Sequence, residues 1–179
     1  MPVYVALVRG INVGGARPIK MTDLRAMFEA AGARDVETYI QSGNVVFGHA
    51  TRSEPTLTKA IEHAIAKAAG FAVSLVLRSA AEMAAVVKNN PFAKAGAVHV
   101  YFLPAKVPAT TLADIDPKRF LPEAWKLVGR ELYVMLPEGA GSSKLLGTLL
   151  RKPPLALATG RNWRTVETLT AMTTARLRS

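Results

Sequence analysis

The sequence predicts an α+β fold made of two consecutive βαββαβ units and a final helix. Three observations lead to this prediction. A chain of 179 residues, half of them hydrophobic, is long enough to bury a substantial core. Short runs rich in β-branched residues alternate with segments whose apolar residues recur at helical spacing. Two pairs of strand-like runs are separated by turns that contain glycine, as in β-hairpins.

The first half of the chain begins with a strand, a helix and a hairpin. Val3–Val8 is a continuous apolar run, which is typical of a buried strand. Residues 21–31 place apolar residues on one helical face and end before Gly32. Residues 36–41 and 44–47 are strand-like and are joined by a Ser-Gly pair, which predicts a tight hairpin turn.

A second helix and a fourth strand complete the first unit. Ser53 and Pro55 are typical residues for a helix start, and Gly70 is typical of a helix end. Residues 71–77 then form another apolar run that predicts a strand. The resulting order, βαββαβ, is that of a ferredoxin-like unit.

The second half of the chain repeats this order. Ser79 and Glu82 have the spacing of a capping box, which predicts a linking helix that continues to about Lys88. The elements predicted after it are a strand at 98–103, a short helix at 111–115, a hairpin at 125–128 and 132–136, a helix at 143–150, a strand at 155–158 and a helix at about 162–173. We therefore predict one ferredoxin-like subdomain at 1–78, a linking helix and loop at 79–96, and a second ferredoxin-like subdomain with the C-terminal helix at 97–179.

Composition narrows the classes of function. The chain has no cysteine, which excludes disulfides, a thiolate nucleophile and a cysteine-ligated metal. His49, His63 and His99 lack metal-ligand spacing, so we predict no metal site, and we recognise no cofactor motif. The first residues lack the features of a signal peptide, and no segment is apolar enough to span a membrane. We therefore expect a cytoplasmic protein without a membrane partner.

The net charge of +10 is concentrated late in the chain. From Lys144 onward there are seven Lys or Arg residues against the single acid Glu167, which gives this region a net charge of +6. Such a region can bind nucleic acid or another anionic surface. A solvated surface that favours solubility is the commoner explanation of such a region, and both interpretations stay open.

The stretch from Arg9 to Lys20 is the clearest candidate for a binding site. It follows an apolar strand, precedes a helix and contains Gly10, Gly14 and Gly15. Glycines adopt positive φ angles and let backbone N–H groups approach a ligand, while Arg9 and Lys20 supply positive charge. The spacing matches neither G-x-G-x-x-G nor a loop that ends in G-K-[ST]. The stretch thus predicts a site for an anionic or polar ligand without indicating a reaction.

The predicted topology adds a second segment to this site. In a ferredoxin-like unit, the loop after the first strand and the turn of the hairpin lie at the same end of the sheet. The groups expected to converge there are cations, amides and donors: Arg9, Asn12, Gly14, Gly15, Lys20, Gln41, Ser42 and Asn44. None of them is an acid or a histidine, so no general acid or base is indicated. The alternative is that the glycines form ordinary turns and that Asn12 and Asn44 bind their own backbone.

A second candidate site follows the last predicted strand. Arg161 and the N-terminus of the final helix would contact an anion there, and Trp163 would offer a surface for stacking. The alternative is structural, because Asn162 is a good N-cap and tryptophan packs well at a first helical turn. The sequence does not tell whether this place adjoins the first loop.

Several of these segments resemble one known family. Residues 5–15 (VALVRGINVGG), 19–21 (IKM) and 39–47 (YIQSGNVVF) are similar to the signatures of the bacterial family called domain of unknown function 1697. Asn90-Pro91-Phe92 and residues 159–163 (TGRNW) also resemble it, so that the similarity spans nearly the whole chain. The resemblance implies two ferredoxin-like subdomains. It implies no activity, and no catalytic residue is carried over.

Three hypotheses of function follow, each from a different class. The first is a protein that binds a small anionic or phosphorylated ligand, with nucleotides included, between the Arg9 to Lys20 loop and the hairpin turn. The second is a nucleic-acid-binding protein that uses the basic C-terminal region, and its affinity should fall steeply with salt. The third is an enzyme of unknown reaction at the same pocket. The sequence leaves the oligomeric state open.

Overall fold

The computed structural model describes residues 1–178, and these residues form two four-stranded antiparallel sheets and five α-helices. The strands are β1 (Val3–Val8), β2 (Arg34–Tyr39), β3 (Asn44–Gly48), β4 (Leu75–Ser79), β5 (Val98–Phe102), β6 (Ala124–Val128), β7 (Glu131–Met135) and β8 (Thr159–Asn162). The helices are α1 (Met21–Ala30), α2 (Glu54–Ala69), α3 (Ala80–Lys88), α4 (Lys144–Leu150) and α5 (Trp163–Arg178). Three 3-10 segments lie at Ala109–Leu112, Pro117–Phe120 and Leu155–Leu157.

The chain divides into two compact units. The first contains Met1–Ala85 and the part of α5 that begins at Thr168, and the second contains Val86–Glu167. Each unit has its own sheet. Helices α3 and α5 each begin in one unit and end in the other.

The sheet of the first unit has the strand order β2-β3-β1-β4. β1 pairs with β3 on one side and with β4 on the other, both antiparallel. The core next to this sheet contains apolar residues of α1 and α2, including Leu24, Phe28 and Ile61, none of which is exposed. Phe47 of β3 packs edge-on against Phe28, with ring centroids 5.2 Å apart. The apolar face predicted for α1 is therefore the face that it buries.

The sheet of the second unit has the corresponding order, β6-β7-β5-β8. The β6–β7 hairpin turns at Gly129 and Arg130, as predicted, since Val128 pairs with Glu131. The core of this unit gathers apolar residues from the strands and from α4, among them Leu132, Val134, Leu145 and Leu149.

Helix ends follow the local signals in the sequence. Ser53 caps α2 by accepting a hydrogen bond from Thr56 N, and Gly70 ends that helix at φ +79°. The predicted capping box at the start of α3 is confirmed, because Ser79 Oγ accepts from Glu82 N at 3.2 Å. In return, Glu82 Oε2 accepts from Ser79 N at 2.8 Å. Each partner satisfies an N–H group that the helix itself leaves without an acceptor.

We expect Ser79→Ala to lower the free energy of unfolding by about 1 kcal/mol, the usual cost of losing an N-cap. The variant keeps the backbone bond to Glu82 but loses both hydroxyl contacts. Urea denaturation measures the difference, and Ser79→Thr is the control because threonine retains the capping oxygen. Equal stability of the alanine and threonine variants would contradict a capping role.

Two predicted elements in the second unit are wrong. Residues 111–115 were expected to form a short helix, but the chain forms the two 3-10 segments, because Pro108 and Pro117 leave too few residues between them for a stable α-helix. Residues 155–158 were expected to form the last strand. That run is a 3-10 segment after Pro154, and the strand lies at Thr159–Asn162, where it pairs with β5.

Strand boundaries in the first unit also differ from prediction. β2 begins at Arg34 and ends at Tyr39, so that four residues rather than two connect it to β3. β4 begins at Leu75 rather than at residue 71, because Leu75 is the residue that pairs with Val8 at the end of β1. Pairing with the neighbouring strand, rather than hydrophobicity alone, sets these boundaries. In the described part of the chain, no helix combines the length and the apolar character that a membrane span needs.

Candidate functional site

The loop after β1 meets the β2–β3 turn, as predicted. Val8 N donates to Gly43 O at 2.8 Å, which fixes the turn against the end of β1. Arg9 N donates to Ser74 O, also at 2.8 Å, and brings in the segment that leads into β4. Three segments therefore converge at one end of the first sheet. We call residues 9–20, 40–43 and 70–74 together the loop surface.

Asn12 joins two of these segments through its side-chain amide. Its Oδ1 accepts from Ile19 N at 2.8 Å, and its Nδ2 donates to Ile19 O at 2.9 Å. Nδ2 also donates to Gln41 O at 3.0 Å. Asn12 has φ +56°, a left-handed conformation that asparagine tolerates better than most residues. The amide thus closes the loop on itself and holds it against the turn.

Gly14 and Gly15 occupy the two central positions of a tight turn in the middle of this loop. Their φ angles are +58° and +75°, and a type I′ turn requires positive φ at both positions. Val13 and Ala16 flank the turn and form an isolated bridge. Both glycines are exposed, and within residues 1–178 their N–H groups donate to no acceptor. These donors are therefore accessible to a ligand.

Asn44, the first residue of β3, directly follows the β2–β3 turn. It is fully buried, and its Nδ2 donates to Tyr39 O at 3.1 Å and to Ser42 Oγ at 2.9 Å. Gln41 is exposed, and its carbonyl oxygen is the one that Asn12 binds. The amides of Asn12 and Asn44 are thus used to shape the site. Gln41 presents an exposed side chain to solvent.

The charge of the loop surface has one sign. Its residues include Arg9, Arg17 and Lys20 and no Asp or Glu, which gives it a net charge of +3. The guanidinium of Arg17 lies 6.0 Å from the ring centroid of Phe71, within the range of a cation–π contact. Lys20 is exposed and precedes α1, whose N-terminus receives no side-chain cap. The N–H groups of that terminus add to the positive potential, which Asp23 in the first turn of α1 partly offsets.

Sequence reasoning missed two apolar residues of the loop surface. Val13 is 67% exposed and Ile40 is 51% exposed, so both are among the few large hydrophobic residues that face solvent. Ile40 also adopts φ +46°. No sequence signal marks a left-handed isoleucine, because β-branched residues are rare in that conformation.

The residues of the second candidate site lie in the second unit. Arg161 is 9% exposed, and its Nη1 donates at 2.8 Å both to Thr159 Oγ1 and to Gly160 O. Burial lowers the pKa of Arg161 to about 10. Asn162 accepts from Thr165 N at 2.9 Å and so caps α5, while Trp163 is the half-buried first residue of that helix. These contacts agree with the structural alternative, in which Asn162 caps the final helix.

A buried arginine also occurs in the first sheet, at the corresponding position. Arg78 of β4 pairs with Val5, as Arg161 of β8 pairs with Val100. Arg78 is 1% exposed, and its Nη1 donates to the carbonyl oxygen of the preceding residue at 2.7 Å, as Arg161 does. The sequence did not indicate this repetition. This repetition shows that Arg161 is one of two similar buried arginines, one in each unit.

The basic residues after Lys144 do not share one environment. Lys152 Nζ donates to Asp114 Oδ1 at 2.7 Å, and this hydrogen bond lowers the pKa of the Asp114 carboxyl. Arg161 is buried, and Arg176 Nη2 donates to Glu37 Oε2 at 3.1 Å. Asp114 and Glu37 thus offset part of the positive charge of the region after Lys144.

Of the histidines, His49 contributes to local structure. Within the part of the chain that the structure describes, no group of three or more His, Asp and Glu side chains is placed to hold a metal ion. His49 Nδ1 accepts from Thr51 N at 2.9 Å, and its Nε2 lies 3.3 Å from Ala31 O at the end of α1. His99 lies on β5, where burial lowers its pKa.

Comparison with known proteins places the chain among uncharacterised relatives. A family model described as "Protein of unknown function (DUF1697)" matches residues 1–133, which is more than half of the chain. The solved structure of a conserved bacterial protein from Streptococcus pneumoniae is similar over 96% of this chain and 98% of that chain, with a TM-score of 0.78 and 25% sequence identity. No curated protein matches the sequence.

Proposed function

We propose, for a chain that belongs to the DUF1697 family of proteins of unknown function, that the loop surface binds a small anionic or phosphorylated molecule, nucleotides included. Arg9 and Lys20 supply the charge. The N–H groups of Gly14 and Gly15 supply directional donors, and Gln41 and Ser42 add polar groups from the turn. Asn12 and Asn44 hold these segments in place.

The observation that carries this proposal is a net charge of +3 on residues 9–20, which are hydrogen-bonded to two neutral segments, 40–43 and 70–74. Hydrogen bonds from Val8, Arg9 and Asn12 fix the segments to one another. The loop surface contains three cationic side chains and no Asp or Glu. A site that is built before the ligand arrives loses less entropy on binding, which is the general advantage of preorganisation. An anion also gains from the N–H groups at the start of α1.

We expect Arg9→Ala and Lys20→Ala each to weaken binding of a phosphorylated ligand about tenfold, because a lost charge-assisted hydrogen bond costs about 1.5 kcal/mol. The measurement is a thermal-shift screen with inorganic phosphate, sugar phosphates, nucleotides and carboxylates, followed by calorimetric titration of the ligands that stabilise the protein. A ligand at 100 times its Kd should raise the Tm by about 5 to 10 °C.

Lys59→Ala is the matched control for these variants. It removes the same charge from an exposed position on α2, eleven residues before Gly70, which is about 16 Å along the helix axis. A loss of affinity equal to that of Lys20→Ala would mean that only the overall charge matters. Binding that is unchanged in Arg9→Ala and Lys20→Ala would overturn the proposal.

The same experiments test the two alternative functions. Binding of short RNA or DNA whose affinity falls steeply with salt would favour the basic C-terminal region, with Lys144 and Arg151 as the residues to replace. Turnover of a ligand that binds the loop surface would make the protein an enzyme. Replacement of Gln41 would then separate an effect on kcat from an effect on affinity.

We also propose an interpretation of the fold. We interpret 1–78 and 97–179 as two ferredoxin-like subdomains joined by 79–96. The strand order β4-β1-β3-β2 and the βαββαβ order of the first half support this interpretation. In the second half, two 3-10 segments stand where the first helix of such a unit would be.

A further inference from the structure

Ile40 combines two unfavourable features at the edge of the loop surface. Its φ of +46° lies in the left-handed region, which a β-branched side chain rarely enters. Its surface is 51% exposed, so the strained conformation does not serve to bury the side chain. Strained residues of this kind concentrate at functional sites, where the cost is offset by a role in binding.

The turn explains the conformation of Ile40 but not its identity. Asn44 binds the carbonyl oxygen of Tyr39, in the peptide group just before Ile40, and Asn12 binds that of Gln41, in the second peptide group after it, so the backbone is held on both sides of Ile40. A glycine or an asparagine would adopt the resulting φ angle at lower cost. The presence of isoleucine therefore calls for a use of its side chain.

Val13 provides a second exposed apolar side chain nearby. It is 67% exposed and follows Asn12 directly, while Ile40 directly precedes Gln41. The 3.0 Å hydrogen bond from Asn12 Nδ2 to Gln41 O therefore joins the immediate neighbours of the two apolar residues. Val13 also flanks the Gly14-Gly15 turn with its accessible N–H groups.

We propose that Val13 and Ile40 contact an apolar ring of the ligand, so that the loop surface selects a phosphate compound that carries such a ring, as a nucleotide does, over a simple phosphate. This inference rests on the proposed function. Cations and glycine N–H groups bind the anionic part, and the two apolar side chains cover a face of the ring. Burial of their exposed surface supplies affinity that inorganic phosphate or a sugar phosphate lacks.

The test compares four probes by calorimetric titration: adenosine monophosphate, ribose 5-phosphate, inorganic phosphate and adenosine. The unmodified protein should bind adenosine monophosphate about tenfold more tightly than ribose 5-phosphate, the usual order for one apolar contact in a site. Ile40→Asn should remove most of this preference and leave the affinity for ribose 5-phosphate unchanged. Because asparagine suits the left-handed conformation, the same variant should unfold at a higher temperature than the original protein.

Leu157→Asn is the control, since Leu157 is 54% exposed and lies in the second unit. It should change neither the preference nor the affinity. Equal affinities for adenosine monophosphate and ribose 5-phosphate would overturn the inference while leaving the proposed function intact. A lower unfolding temperature of Ile40→Asn would also overturn it, because Ile40 would then be a packing residue. If none of the phosphate probes binds, this inference fails, whereas the proposed function is decided separately by the thermal-shift screen with its wider set of anions.

Discussion

Asn12→Ala should lower the free energy of unfolding by about 4 kcal/mol, from about 1 kcal/mol for each of three lost hydrogen bonds and about 1 kcal/mol for the backbone conformation. The side chain makes three hydrogen bonds, to Ile19 N, Ile19 O and Gln41 O. Ile19 is only 5% exposed, so water replaces the lost partner poorly. Alanine must also adopt φ +56°, which costs it more than asparagine.

A second variant separates the two contributions of Asn12. Asn12→Gly loses the same three hydrogen bonds but adopts the positive φ angle freely, so it should be less destabilising than Asn12→Ala by about 1 kcal/mol. Urea denaturation of the three proteins measures both differences. A loss below about 1 kcal/mol for both variants would show that the amide does not hold the loop to the turn.

The Asn12 variants also bear on binding. If the amide acts by holding the loop surface in one arrangement, Asn12→Gly should weaken ligand binding, because the hydrogen bonds that fix the loop to Ile19 and Gln41 are lost. The mobile loop would then have to be ordered at the moment of binding. Calorimetric titration of the ligand identified in the screen measures this effect, and an unchanged affinity would mean that preorganisation is unimportant here.

Gly43→Ala should lower the free energy of unfolding by about 2 to 4 kcal/mol, the sum of a left-handed penalty and an overpacking penalty. Gly43 has φ +73°, and its carbonyl oxygen accepts from Val8 N. A Cβ atom at this position would lie 2.9 Å from Val8 Cβ and 3.1 Å from Val8 O. The backbone of β1 cannot move away without disturbing its pairing with β3 and β4.

Gly15→Ala is the matched control for Gly43→Ala. Gly15 has nearly the same φ, +75°, but a Cβ atom there would meet nothing within 4 Å. It should therefore show the backbone penalty alone, about 1 kcal/mol. The difference between the two variants, measured by urea denaturation, isolates the cost of the close approach at Gly43. Equal losses would mean that the turn and β1 separate easily.

Much of the local structure followed from the sequence. Ser53 and Gly70 bound α2, and Ser79 with Glu82 begins α3, because a helix end is determined by a few neighbouring residues whose side chains or φ angles satisfy its free backbone groups. The loop after β1 was also identified as a candidate site, since glycines and cations between a strand and a helix are a local pattern.

Other features depended on residues that are distant in the chain. The last strand lies at Thr159–Asn162 rather than in the more apolar run before it, because those residues pair with β5. Asn12 was expected among the ligand-binding residues, yet its amide is used on Ile19 and on the distant Gln41. Its role could not be inferred from neighbouring residues in sequence, because Gln41 is 29 positions away.

The sequence by itself determined both ends of α2, the start of α3, the apolar face of α1 and the loop after β1 that combines glycines with cations. Only the tertiary structure decided the strand registers, the use of the Asn12 and Asn44 amides within the protein and the exposure of Ile40 in a left-handed conformation. The physical reason is one of range. Capping, turn formation and helical periodicity act within a few residues, whereas strand pairing and side-chain contacts between loops depend on which segments the fold brings together.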